Sequence, residues 1–194
     1  MTAPQLALPS GERRSDPTIT IHLAVALGVS LVVLLGTLAS VYVALRSGVH
    51  GWLPKSLNRD EYYDNTLAVT AFMGVVAGWW GVYAAVKGDR RQAMTALGLV
   101  VLMDAAFLNL LTYVVRQSHL SPRQGGYAVI WYALVIAIGA VFATGIGVAG
   151  ITLARVAGGL VNAADPSLAW CAAWYGTFVA ICWFVMYYLV HVVQ

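Results

Sequence analysis

Five long apolar runs make up most of the 194-residue chain and constrain its environment more than any other feature. A helix needs about 20 apolar residues to cross the roughly 30 Å hydrocarbon core of a bilayer, and each run reaches that length. None carries the polar stripe of a helix on the surface of a soluble domain. We therefore predict an all-α, polytopic membrane protein, a bundle of five transmembrane helices at approximately residues 19–45, 66–86, 94–115, 127–154 and 168–193.

The segments outside these runs are too short to form a soluble domain. Apolar residues make up 60% of the chain and charged residues only 10%, which is far from ordinary globular composition. Residues 1–18 contain three prolines and few large apolar side chains, so they are predicted to be a disordered tail. The first apolar run is too long for the core of a cleaved signal peptide.

Basic residues indicate the topology. With five spans, the N-terminal tail, the turn at residues 87–91 and the loop at residues 155–165 lie on one side of the membrane. The turn is short and densely basic, with Lys87, Arg90 and Arg91. Cytoplasmic loops carry an excess of Lys and Arg, so the N-terminus is predicted to be cytoplasmic and the C-terminus external. The acidic group Asp60, Glu61 and Asp64 would then lie in an external loop. We expect that loop to be solvated, and a cation-binding or docking patch is the alternative.

Small residues recur along the second and fourth spans at the spacing of one helix turn. In lipid, such positions let helix backbones approach closely, and this approach is a main source of helix association. The pattern predicts packing through these positions, either within the bundle or against a larger partner. The candidate packing residues are Gly74, Gly78, Gly81, Gly139, Ala143 and Gly147.

The positions of the histidines indicate that this chain holds no redox metal centre of its own. A haem held between membrane helices needs axial ligands within the spans, usually two facing histidines. The chain's four histidines, His22, His50, His119 and His191, lie at span ends or in loops. No two of them have metal-ligand spacing along one helix. We expect no catalytic, cofactor-binding or metal-binding residues in the chain.

Asp104 is the one acidic residue deep inside a span. A charge at that depth costs at least about 2.5 kcal/mol, so the residue must be protonated, paired, or facing a hydrated or protein-filled site. Asn109 and Thr112 continue the polarity along the same helix, with Thr112 predicted to lie roughly on the Asp104 face. Two interpretations remain: a proton or ion relay, and a hydrogen-bonded lock to another helix or subunit. The absence of an intramembrane base favours the lock.

Several short sequences resemble one family of membrane subunits over approximately residues 20–192. Asn65-Thr-Leu-Ala-Val opens the second span, a short basic turn follows it, and the third span runs through Met103 and Phe107. In the last span, Thr177-Phe-Val-Ala-Ile-Cys-Trp183 resembles a His-Phe-Val-Asp-x-x-Trp motif and keeps Phe178, Val179 and Trp183. The layout is similar to subunit III of the haem–copper oxidase superfamily in its five-helix bacterial form.

The chain departs from that family at its polar positions. The glutamate of the third span is replaced by Val114, and the histidine and aspartate of the last span by Thr177 and Ala180. The paired histidines of the fourth span have no counterpart between Gly126 and Ala154. The resemblance therefore carries over an architecture and a partner, but not a site.

The resemblance implies a non-catalytic subunit of a cytochrome c oxidase-type respiratory complex in a bacterial plasma membrane. Such a subunit would pack on catalytic subunit I, bind structural phospholipids and stabilise the complex. Haem, copper and oxygen reduction would belong to partner subunits, and nucleic acid is not expected as a partner. The alternatives are a small self-associating transporter or channel that uses Asp104, and a membrane assembly factor. An odd number of spans without an evident repeat counts against the transporter.

Overall fold

The computed structural model describes residues 17–48, 52, 61–123, 125–161, 163 and 165–191. It contains five helices, α1 Pro17–Gly48, α2 Glu61–Val86, α3 Arg90–Gln117, α4 Gly126–Ala157 and α5 Ser167–His191, and no strand among these residues. Each helix contains a segment long and apolar enough to cross a membrane. The predicted all-α, five-span membrane architecture is confirmed. Most of the predicted tail lies outside the described residues.

The start of α2 differs from the prediction. The helix begins at Glu61, five residues before the predicted span, and includes Glu61 and Asp64 in its first turn. Carboxylates there stabilise the partial positive charge of a helix N-terminus, a contribution that a search for apolar runs does not detect. Asp64 is only 5% exposed, so the expectation of a solvated acidic loop is wrong for this residue. Asp60 lies outside the described residues.

Glycine and aspartate set the sharp turn between α2 and α3. Gly88 has φ of 75°, and Gly88 and Asp89 donate backbone hydrogen bonds to the carbonyls of Ala85 and Ala84, 3.0 Å each. This arrangement is a Schellman motif, in which glycine accepts the left-handed conformation at least cost. The Asp89 carboxylate then caps α3 by accepting a hydrogen bond from the backbone N–H of Gln92. Two residues therefore reverse the chain.

The helices form a four-helix ring with one helix outside it. Around the ring, α2 packs on α3, α3 on α4, α4 on α5, and α5 on α2, while α1 lies against α4 and α5. Only 17% of the apolar segment of α1 is buried, compared with 44% for those of α2 and α5. Most of the α1 surface thus faces the membrane or a partner.

Aromatic side chains fill the middle of the ring. Phe107 of α3 is fully buried and stacks on Phe142 of α4, with ring centroids 3.6 Å apart. Trp183 of α5 meets Phe107 edge-on at 5.1 Å. These three rings connect α3, α4 and α5, and they occupy the centre that a channel would need to leave open.

The predicted packing residues divide between the interior and the surface. On α2, Gly78 faces Ala173 of α5 and Gly81 faces Ala96 of α3, and a Cβ atom on either glycine would lie 3.5 Å from its neighbour. Gly74 is also buried, and a Cβ atom on Gly139 would lie 3.7 Å from Leu111. Ala143 and Gly147 are exposed instead. The small residues of α2 therefore pack within the bundle, while those two positions of α4 face outward.

Candidate functional site

Asp104 lies on the buried face of α3. The buried residues Leu97, Val100, Phe107 and Leu111 follow one another at helical spacing, and Asp104 takes the place between Val100 and Phe107. Such a series marks the stripe of a helix that faces the protein interior. The Asp104 side chain is half-buried. It therefore points into the ring of helices, which corresponds to one of the alternatives that the sequence left open, a carboxyl group that faces a protein-filled site.

Two glycines make room for the carboxyl group. A Cβ atom placed on Gly145 of α4 would lie 3.2 Å from Asp104 Oδ2, and one placed on Gly74 of α2 would lie 3.8 Å from Oδ1. The first distance is tighter than an ordinary van der Waals contact of 3.4–4 Å. The carboxyl group thus lies between the backbones of α2 and α4. Of these two glycines, Gly145 lies closer to the carboxyl group, and it is not among the packing residues that were predicted from the sequence.

Tyr175 of α5 completes the site. Its ring also borders Gly145, 3.5 Å from the position of the added Cβ atom, and its side chain is 6% exposed. The Tyr175 hydroxyl donates a hydrogen bond to the Val141 carbonyl at 3.0 Å and forms another with the Thr144 hydroxyl. The Thr144 hydroxyl is also 2.8 Å from the Val141 carbonyl, and because the two hydroxyls carry one proton each, two of these three contacts are hydrogen bonds at a time. Asp104, Thr144 and Tyr175, from three helices, thus place a carboxyl and two hydroxyls near Gly145, and we call this group the polar centre.

The polar centre contains oxygen-bearing side chains and, among the described residues, no basic side chain. Its side chains are a carboxyl and two hydroxyls, and no Lys, Arg or His side chain contacts it among the described residues. The structure describes no hydrogen bond to Asp104 within the same residues. An ionised carboxylate without a cation is costly inside a membrane protein. A neutral carboxyl is the form that this packed interior accommodates at least cost.

Asn109 and Thr112 do not join Asp104. Five residues turn a helix by about 140° and eight residues leave it about 80° away, so neither residue faces the buried stripe. Both side chains are exposed on α3, and the Thr112 hydroxyl donates to the carbonyl of Leu108 on its own helix. The predicted face shared by Asp104 and Thr112 is therefore not present.

The three motif residues of α5 each contact a different helix. Thr177 accepts a hydrogen bond from the indole nitrogen of Trp79 on α2 at 3.1 Å. Phe178 lies against Gly28 of α1, 3.4 Å from the position of an added Cβ atom. Trp183 packs on α3 as described above, and its indole N–H has no hydrogen-bond acceptor among the described residues. These residues connect α5 to three other helices at two levels, with Thr177 and Phe178 in one turn and Trp183 more than one turn later.

The histidines remain dispersed. His22 is exposed on α1, His119 follows the end of α3, and His191 is the last helical residue of α5. His50 lies outside the described residues. Within the part of the chain that the structure describes, no three His, Cys, Asp or Glu side chains gather as a metal site would require.

Comparisons with known proteins do not identify a family for this chain, so the functional inference is based on the fold and the polar centre. A scan against protein-family models finds no matching family, and a search of curated proteins finds no match.

Proposed function

We propose that this chain is a non-catalytic subunit of a haem–copper oxidase-type respiratory complex, similar in role to subunit III. The observation that carries the proposal is the structural role of α5. Thr177, Phe178 and Trp183, the residues that match the subunit III motif or stand in it, contact α2, α1 and α3 respectively. The motif thus has a structural use in this chain that requires no redox chemistry.

The polar centre has a matching role as an internal lock. The hydroxyl of the buried Tyr175 on α5 is within hydrogen-bond distance of Val141 and Thr144 on α4, and the half-buried Asp104 carboxyl of α3 lies beside Gly145 without a described hydrogen bond of its own. Hydrogen bonds between membrane helices contribute about 0.6 kcal/mol on average, and at most about 1.7 kcal/mol. That contribution suits a chain whose task is to keep one shape within a complex.

The outer faces of α1 and α4 supply a surface for the catalytic subunit. Gly36 and Ser40 are exposed on α1, and Ala143 and Gly147 are exposed on α4. Nothing lies within 4 Å of an added Cβ atom on Gly36 or Gly147, so a partner helix has room for close approach. The partner would carry the haem and copper, and phospholipids would fill the contact. The complex would lie in a bacterial plasma membrane with this chain's N-terminus cytoplasmic and C-terminus external.

A second candidate is a small transporter or channel, and the interior position of Asp104 favours it. A carboxyl between α2 and α4 is placed where an ion-binding group would act. The stacked rings of Phe107 and Phe142 fill the neighbouring interior and count against an open path.

Deletion of the gene separates these two functions. We expect the deletion strain to lose oxidase-type haem from its membranes and to consume oxygen more slowly, with both restored by the wild-type gene. Gly147→Leu should restore less, because the larger side chain blocks helix approach on the outer face of α4. Gly98→Leu, at a position of α3 that also has nothing within 4 Å of an added Cβ atom, is the matched control and should restore fully. Normal oxidase in the deletion strain, with proton or cation flux through liposomes containing the chain, would support the transporter instead.

A further inference from the structure

Asp104 has no described hydrogen-bond partner, although its carboxyl group lies inside the ring of helices. Within the part of the chain that the structure describes, no group donates a hydrogen bond to it or accepts one from it. Polar groups in a protein interior are almost always hydrogen-bonded, either to the protein or to ordered water, because an unbonded group loses its hydration without compensation. The Asp104 carboxyl group therefore requires a partner that the described side chains do not supply.

Open space adjoins this carboxyl group. The Asp104 side chain is half-buried, whereas Val100 and Phe107, which precede and follow it in the interior stripe, are buried. The residues of α2 and α4 beside the carboxyl oxygens are Gly74 and Gly145, so these two positions contribute no side chain to the space. Glycine also leaves helix carbonyl oxygens uncovered, and each can accept a second hydrogen bond. A space bounded by a carboxyl group and uncovered carbonyls is polar enough to hold water.

Aromatic rings close this space toward the end of the bundle where α2 begins. Phe107 and Phe142 stack with ring centroids 3.6 Å apart, Trp183 meets Phe107 edge-on, and all three side chains are buried. Phe107 follows Asp104 by one turn of α3, so the ring layer lies directly beyond the carboxyl group. Water coming from that end would have to displace large, closely packed rings.

Small side chains form the next layer in the opposite direction, toward the α2–α3 turn. Ala77 of α2, Val100 of α3 and Ala149 of α4 make a buried cluster one helix turn from the level of the carboxyl group. One turn farther along α4, the fully buried Thr152 hydroxyl donates to a carbonyl of its own helix, which leaves the hydroxyl oxygen able to accept. Small shifts of these side chains admit a water molecule more easily than displacement of the ring layer does.

We propose that Asp104 binds water that enters from the end of the bundle at the α2–α3 turn, and that its carboxyl group exchanges its proton with that side alone. The water supplies the hydrogen-bond partner that the chain lacks, and exchange of one proton for another leaves the carboxyl group neutral. Because the ring layer closes the other side, no path through the bundle is implied. The proposal concerns the polar centre and does not depend on the proposed oxidase role.

Hydrogen–deuterium exchange of the Asp104 carboxyl group, followed by infrared spectroscopy of the full chain in liposomes, tests the bound water. The carboxyl band is identified by its loss in Asp104→Asn, and it shifts when deuterium replaces the proton. We expect the wild-type band to shift within seconds of transfer to deuterium oxide, whereas a group closed off from water would shift only as the bundle opens, over minutes to hours. A band that persists unshifted for minutes would overturn the proposal. So would the absence of any carboxyl band that Asp104→Asn removes, because the group would then be ionised.

Two matched variants of α2 test the direction of entry. Ala71→Leu and Ala77→Leu add the same side chain at buried positions one turn on either side of Gly74, with 5% and 3% of the native side chain exposed. Ala77→Leu fills the small-residue layer and should slow the exchange by about tenfold, because overpacking raises the cost of admitting water. Ala71→Leu adds its bulk on the side of the rings and should exchange as fast as wild type. Equal rates in the two variants, or slower exchange in Ala71→Leu, would overturn the direction. Valine at the same two positions gives the same comparison if a leucine variant does not fold.

Discussion

Substitution of Gly145 by alanine tests the geometry of the polar centre directly. The added methyl group would lie 3.2 Å from Asp104 Oδ2 and 3.5 Å from the ring of Tyr175. The carboxyl group is confined on its other side by α2 at Gly74, and Tyr175 is buried. The carboxyl oxygen would have to shift by a few tenths of an ångström, whereas the Tyr175 ring would remain at an ordinary contact distance. We expect Gly145→Ala to destabilise the bundle.

The size of the effect follows from two opposing terms. Overpacking of a close-packed interior costs about 1–3 kcal/mol. Alanine is also the better helix former, by up to about 1 kcal/mol in water, and this gain offsets part of the cost. Gly147→Ala, on the same helix, provides the helix gain alone, because nothing lies within 4 Å of its added Cβ atom. The difference between the two variants should therefore report the steric cost of about 1–3 kcal/mol.

Unfolding by dodecyl sulfate in lipid–detergent micelles, followed by tryptophan fluorescence, measures this difference. A third variant combines Gly145→Ala with Asp104→Ala, which removes the carboxyl group that the new methyl group meets. The combined change should cost less than the sum of the two single changes, because the residues are in contact. Equal stability of Gly145→Ala and Gly147→Ala would refute the placement of Asp104 beside Gly145, and so would strict additivity.

Three further predictions concern the same bundle. Asp104→Asn keeps a polar group of similar shape and should leave complex yield and oxidase turnover near wild type. Asp104→Leu should reduce the yield. Loss of turnover in intact complex that carries Asp104→Asn would indicate a proton relay. Tyr175→Phe removes the hydrogen bonds that the Tyr175 hydroxyl makes with Val141 and Thr144. In the same micelle assay it should lower the free energy of unfolding by about 0.6 kcal/mol, and at most by about 1.7 kcal/mol. An unchanged free energy of unfolding would mean that these bonds do not stabilise the bundle. A cysteine at Asp89 should react with a membrane-impermeant reagent only after cell lysis, because the basic turn is predicted to be cytoplasmic, and labelling of intact cells would reverse the topology.

The helices could be predicted from the sequence because hydrocarbon imposes the same requirement on each of them. A segment of about 20 apolar residues has few other stable forms, so the five runs identify five helices. The ends are less constrained, because polar residues beside the bilayer continue a helix whenever capping or the helix dipole favours it. Glu61 and Asp64 extend α2 in this way. The other end of α2 lies at Val86, as predicted, because Gly88 adopts the left-handed conformation that ends the helix.

The polar centre could be predicted only in part. Asp104 was identifiable because a carboxyl group in an apolar run needs an explanation. Its neighbours Gly145 and Tyr175 come from two other helices, and their selection depends on how α4 and α5 are rotated about their axes. Membrane helices carry apolar residues on all sides, so the hydrophobic pattern gives little information about that rotation. The sole signal in the sequence was that a buried carboxyl group requires a small residue opposite it, and α4 offers several.

The haem content of the native assembly tests the proposed function most directly. The chain, carrying an affinity tag, would be purified in mild detergent from the membranes of the organism that encodes it, and the reduced-minus-oxidised spectrum of the product recorded. We predict haem bands of an oxidase in fixed proportion to the chain, and none when the chain is purified alone from a host that lacks the partner subunits. A homogeneous native preparation that contains the chain without any haem-bearing partner would contradict the account.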